Sequence, residues 1–125
     1  MTGFTVELPP GWVRLASSGA RLVAVHGSDR GGQASIVALE YAGDAPLAGV
    51  DRLYVVEEGH ASIGGRPARR MDLTRRQSGR ALFTRRWLVS DGPNTLEIAA
   101  TCPVERYGHF SSLFDELAAS VRLAA

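Results

Sequence analysis

At 125 residues, with 45% apolar and 22% charged side chains, the chain has the length of one domain, 1–125, and too much apolar content for disorder. No apolar run approaches the roughly 20 residues that cross a bilayer, and the N-terminus has no basic stretch leading into an apolar one, which excludes a membrane span and predicts a cytoplasmic protein. The formal net charge is only +1, and the single cysteine, Cys102, excludes an intramolecular disulfide, so packing must hold the fold.

Phe4, Val6 and Leu8 alternate with Thr5 and Glu7, the period-2 pattern of a half-buried strand. Pro9 cannot donate to a ladder, and Pro10-Gly11 suits the central positions of a type II turn, so the chain reverses there. Trp12 then folds back over the end of that strand and closes the core. Arg21 to His26 and Ser35 to Tyr41 read as strands joined by GSDRGGQ, residues 27–33. That loop is not a phosphate cradle, because it lacks the Lys and Ser/Thr of a P-loop and no helix pattern follows. Asp44 is placed to cap a short middle helix, with Pro46 in its first turn and Leu47, Val50 and Tyr54 on one side. Val55-Val56 returns the chain to an extended form before a turn at Glu58-Gly59.

Strand-like runs then cover 66–75, 81–89 and 95–102, separated by RQSGR and SDGPN, and predict an antiparallel meander. Alternation assigns Met71, Leu73, Phe83, Trp87, Val89, Leu96, Ile98, Ala100 and Cys102 to one face. Arg70, Asp72, Thr74, Thr84, Arg86, Glu97 and Thr101 go to the other. Arg69, Arg75 and Arg85 interrupt the apolar face. The first two sit near strand ends and can snorkel, whereas Arg85, between Phe83 and Trp87, needs a partner. Past Pro103, Phe110, Leu113, Phe114 and Leu117 fall at i, i+3, i+4 and i+7, the stripe of an amphipathic helix that covers the sheet. A helix on one face of an antiparallel sheet is an α+β layer architecture.

Four stretches taken together carry a family resemblance: FTVELPPGW, ASIGGRPARRMDLTRR with its glycine pair leading into a long strand, the hairpin RALFTRRWLVSDGPNTLEIAATCP, and a closing helix ending in SVRL. The chain resembles the PsbP/DcrB-like superfamily, including its LpqN-type actinobacterial branch. That resemblance implies a sheet of about six or seven antiparallel strands flanked by helices. It also implies an accessory role, since the superfamily holds photosystem subunits, cell-envelope lipoproteins, Ran-binding Mog-type proteins and chaperones of secreted effectors. The chain departs from the envelope members by showing neither a signal peptide nor a lipobox cysteine.

Charge is the one strong functional signal. All fourteen basic residues are arginine, and eight of them fall within 66–86 against a single acid, Asp72, so this segment is +7 and the remainder −6. Arg70, Arg76, Arg80 and Arg86 are the candidate partner-binding residues, because clustered guanidiniums offer bidentate donors and a steering field to an acidic surface. Nucleic acid fits poorly, since Phe83 and Trp87 alone interleave the segment and both are predicted inward. The competing structural account pairs these arginines with the molecule's own Asp72 and Glu97.

Enzyme chemistry finds little to stand on. His26, His60 and His109 share no metal-ligand spacing, Cys102 faces inward, Ser111-Ser112 lacks a nucleophile elbow, and Glu57-Glu58 are adjacent carboxylates beside a predicted turn. The sequence therefore predicts a non-enzymatic interaction module, chaperone- or adaptor-like, without cofactor or metal. It would be secretion- or envelope-associated and would dock a protein partner, acidic in character, through the arginine hairpin or the sheet face; a homodimer is compatible. The alternative is a carrier of a small apolar ligand, with a pocket between sheet and helix lined by Trp87, Phe110 and Phe114.

Overall fold

A computed structural model describes residues 4–6, 8, 10–16, 22–26, 34–43 and 53–123. Its strands are β1 (Phe4–Val6), β2 (Trp12–Arg14), β3 (Leu22–His26), β4 (Ser35–Ala42), β5 (Leu53–Ile63), β6 (Arg66–Gln77), β7 (Arg80–Asp91) and β8 (Asn94–Pro103). A 3-10 turn (Val104–Arg106), helix α1 (Tyr107–Ser120) and β9 (Val121–Leu123) follow. Seven strands make one antiparallel sheet in the order β2-β3-β4-β8-β7-β6-β5, and β1 and β9 form a separate antiparallel pair. No helix among the described residues is long and apolar enough to cross a membrane.

The meander from β5 to β8 forms because its turns have the chemistry that two-residue hairpins demand. Gly64 and Gly65 take φ of 57° and 79°, and Ser78 and Gly79 take 52° and 78°, the paired left-handed conformations of type I′ turns. The three predicted strands are present and run a residue or two further, up to these turns. The turn expected at Glu58-Gly59 is not there: β5 continues through it, with a bulge between Val55 and Glu57, and reverses at the Gly64-Gly65 pair, where both residues tolerate positive φ. Gly11, at φ 99°, supplies the expected turn before β2, and a Cβ there would lie 2.6 Å from Nε2 of His26. The turn can sit against that ring only because the residue is glycine.

The helix buries Phe110, Phe114, Leu117 and Ala118 against a core that includes Trp12, Ile36, Ile63, Trp87 and Ile98, with half-buried Leu113 at its margin. Trp12 is 8% exposed; its ring meets His26 edge-on at 5.0 Å and Phe114 at 6.4 Å. This is the packing role expected of it, at the edge strand of the main sheet.

One face assignment is corrected. Asp72 pairs directly with Arg85, and Arg70 with Trp87, so Arg70 and Asp72 share the helix-covered face with Phe83, Arg85 and Trp87. Met71 and Leu73 lie on the opposite face beside Arg86 and Thr84 and are buried too, at 5% and 2%, and Arg69 and Arg75 share that face rather than interrupting the helix-covered one. Both faces of β6 bury side chains here, so polarity does not reveal which way the strand is turned, and a one-residue shift of register exchanges its faces. The closing segment also differs: the helix stops at Ser120, and Val121 to Leu123 pair with β1. There the β-branched Val121 takes extended angles and gives β1 its ladder partner. Of the expected middle helix, residues 44–52 lie outside the described residues, while Tyr54 belongs to β5 opposite Thr74. The loop at 27–33 and Arg21 lie outside them as well.

Candidate functional site

The β6–β7 hairpin carries the arginine cluster, and its register distributes the cluster between two faces. Arg70 lies opposite Trp87 on the helix-covered face and Arg86 opposite Met71 on the other, so these two leave the sheet in opposite directions. Arg70 donates through Nε and Nη2 to Asp72, at 3.3 and 3.0 Å. Arg86, 6% exposed, donates through Nε to Oε2 of Glu97 at 2.6 Å. Arg76 is exposed; Arg80 is exposed too, and meets exposed Glu105 only at 3.8 Å. Arg70, Arg76, Arg80 and Arg86 thus do not make one surface, because two of them are held by internal acids.

What the fold does bring together is the hairpin tip. Among the described residues the last pairing with β5 is Leu53 to Arg75 and the last with β8 is Leu82 to Pro103, and residues 76–81 make the turn end of the hairpin. Arg75, Arg76 and Arg80 are all exposed around this tip. The sequence marks Arg75 only as a strand-end residue, but its place one position before the RQSGR turn is the signal that joins it to the tip.

Arg85 finds the partner it needed. At 1% exposure it donates through Nε and Nη2 to both oxygens of Asp72, at 3.0 and 3.3 Å, and through Nη1 to Asp115 of the helix at 2.9 Å. The carbonyl of Ser111 and the hydroxyl of Tyr107, each at 3.4 Å, complete its shell. Burial works to raise the Asp72 carboxyl, but hydrogen bonds and charge from Arg70 and Arg85 outweigh it and hold the group below its usual range. Tyr107, Ser111 and Asp115 recur at i, i+4 and i+8, a polar row on one side of the helix, and that spacing was the overlooked sign of where Arg85 would dock.

Trp87, Phe110 and Phe114 are 2%, 1% and 0% exposed and belong to one core cluster, with the two phenyl rings stacked at 6.1 Å. An open groove lies elsewhere, at the end of the sheet away from the arginine tip. Burial pushes the Cys102 thiol up to about 11 at 1% exposure, as its inward strand position implies. His26 packs between Trp12 and Phe110, His109 sits beside Phe110 on the helix, and His60 pairs with Arg69 in the sheet. Among the described residues no group of three or more His, Cys, Asp or Glu side chains could hold a metal ion.

No protein-family model matches the sequence, and no curated protein matches it. Solved structures do match. LpqN of Mycobacterium tuberculosis, involved in cell envelope biogenesis, superimposes with a TM-score of 0.76 at 14% identity over 100% of this chain and 85% of LpqN. CyanoP, the PsbP of Synechocystis sp. PCC 6803, gives 0.61 at 11% identity over 98% and 92%. PA94 of Pseudomonas aeruginosa, a protein of unknown function, gives 0.56 at 21% identity over 93% and 78%. At such identities the likeness is one of fold, the fold shared with LpqN and the cyanobacterial PsbP.

Proposed function

We propose that this protein is a non-enzymatic docking module that engages an acidic protein surface through the tip of the β6–β7 hairpin. The observation that carries the reading is the division of labour among the arginines. Arg70, Arg85 and Arg86 are held by Asp72, Asp115 and Glu97, whereas Arg75, Arg76 and Arg80 stand exposed around the turn of the hairpin. Exposed guanidiniums offer forked donors to carboxylates and speed encounter with an anionic partner. The likeness of fold to LpqN, a protein of cell envelope biogenesis, supports an envelope-associated setting for that docking.

The test is affinity capture from the native host with the full chain and with an Arg76→Glu/Arg80→Glu variant, across a salt series. Both side chains are exposed, so thermal stability should stay within about 1 kcal/mol of the parent for each. Capture of the specific partner should be lost in the variant. In the parent it should weaken as the Debye length shrinks from about 10 Å at 0.1 M salt to about 3 Å at 1 M. Undiminished, salt-insensitive capture by the folded variant would reject the reading.

A further inference from the structure

At the end of the sheet that holds the 64–65 and 92–93 turns, an open groove of about 500 Å³ runs across β5 to β8. Its basic lining is His60, Arg66 and Arg69; Pro67, Ala68 and Leu88 supply apolar surface; none of the described lining residues carries a carboxylate. His60 pairs directly with Arg69, and Arg69 with Leu88, so an imidazole, a guanidinium and an isobutyl group stand side by side on one sheet face. Arg66 is steadied by a bond from Nη2 to the carbonyl of Ser90 at 3.0 Å. The Thr95 hydroxyl is already donated to the Gly43 carbonyl at 2.6 Å, so recognition falls to the basic side chains.

Arg69 does have an acid beside it. Its Nη2 meets Oε1 of Glu58 at 3.3 Å, but the two side chains are 63% and 51% exposed, and a pair so wet is weak and readily exchanged. A guanidinium has five N–H donors, and this contact engages one of them. The volume falls in the range of small-ligand sites, which combine apolar surface with a few convergent polar groups.

We propose that this groove is a binding site for a small organic oxyanion, a carboxylate or a phosphate ester carried on a short apolar group, with Arg69 and His60 holding the anion and Leu88 and Pro67 the apolar part. It lies at the opposite end of β6 from the hairpin tip, so this proposal and the docking reading fail independently.

Benzoate and phenyl phosphate serve as probes, followed by amide chemical shifts of the whole protein. Benzamide and phenol are the neutral counterparts, and acetate and inorganic phosphate the anions without an aromatic part. Saturable shifts are expected at His60, Arg69, Leu88 and Ser90 with one or both aromatic anions, and which of them binds identifies the headgroup. Arg69→Gln should weaken binding about tenfold or more, as loss of a charged hydrogen bond does. Glu58→Gln should tighten it by about threefold, because a competing carboxylate is gone. Arg76→Gln, at the far tip, should leave it unchanged. The proposal is overturned if neither aromatic anion gives saturable shifts, if neutral probes bind as well, if acetate or phosphate binds as tightly as its aromatic counterpart, or if Arg76→Gln weakens binding as much as Arg69→Gln.

Discussion

Arg85 is a permanent charge at 1% exposure, and that is tolerable only because every side of its guanidinium meets an acceptor. Removing one member of a buried pair leaves the other uncompensated, so Asp72→Leu should cost about 3–5 kcal/mol in urea unfolding. Replacing Asp72 and Arg85 together by leucine should recover most of that loss. Arg70, 29% exposed at its side chain, and Asp115, 61% exposed, can then turn to water, and no buried charge remains. A double variant no more stable than Asp72→Leu alone would show that the bonds from Arg85 to Ser111 and Tyr107 carry the stability instead. Cys102 poses a simpler question. With its thiol raised to about 11 and its side chain in the core, it should resist a thiol reagent until the protein unfolds; rapid stoichiometric labelling of the folded chain would contradict this.

Each hairpin of the meander is set by two residues. Ser78 holds φ 52° without being glycine, a conformation that L-residues adopt at a penalty and asparagine adopts more readily. Ser78→Asn, which makes the turn Asn-Gly, should stabilise the protein by roughly 0.5 kcal/mol. Gly79→Ala should destabilise it by about 1 kcal/mol or more, and for a purely backbone reason, since no atom lies within 4 Å of where the new Cβ would stand. Thermal denaturation of the two variants decides the matter, and shifts of the same sign would mean that the turn is not under type I′ constraint. Helix α1 shows the other way in which an element is held. It has no side-chain cap at its N-terminus, so it depends on the packing of Phe110, Phe114 and Leu117 and on the polar row that grips Arg85.

At the scale of the whole molecule, two titrations should govern stability in acid. Burial, and then the nearby charge of His109, hold the His26 imidazole below its ordinary value, so the unfolded chain takes up a proton near 6.5 that the folded chain refuses. Stability should therefore begin to fall as pH drops through about 6.5. The depressed Asp72 carboxyl acts lower down. Its contribution is present above the usual carboxylate range and is lost as pH falls through about 4 and below, where the unfolded chain protonates first. Urea midpoints across pH 3 to 8 should show both losses, and His26→Gln should abolish the upper one; an upper loss that persists in that variant would point to another group. Much of this molecule was legible in the order of its residues. The meander, its glycine turns, the inward Cys102 and the Phe110–Leu117 stripe follow from periodicities and turn preferences that act over a few residues. The need of Arg85 for a partner was legible too, but its identity was not, because Asp115 lies 30 residues away on the helix. Tertiary structure alone decided which face β6 presents, which arginines remain exposed, and that Val121 to Leu123 leave the helix to pair with β1. The physical reason is that these outcomes rest on contacts between distant segments: a period-2 pattern buried on both faces of β6 fits either register equally well until its neighbours choose one, and the closing residues become a strand only because β1 is there to pair with them.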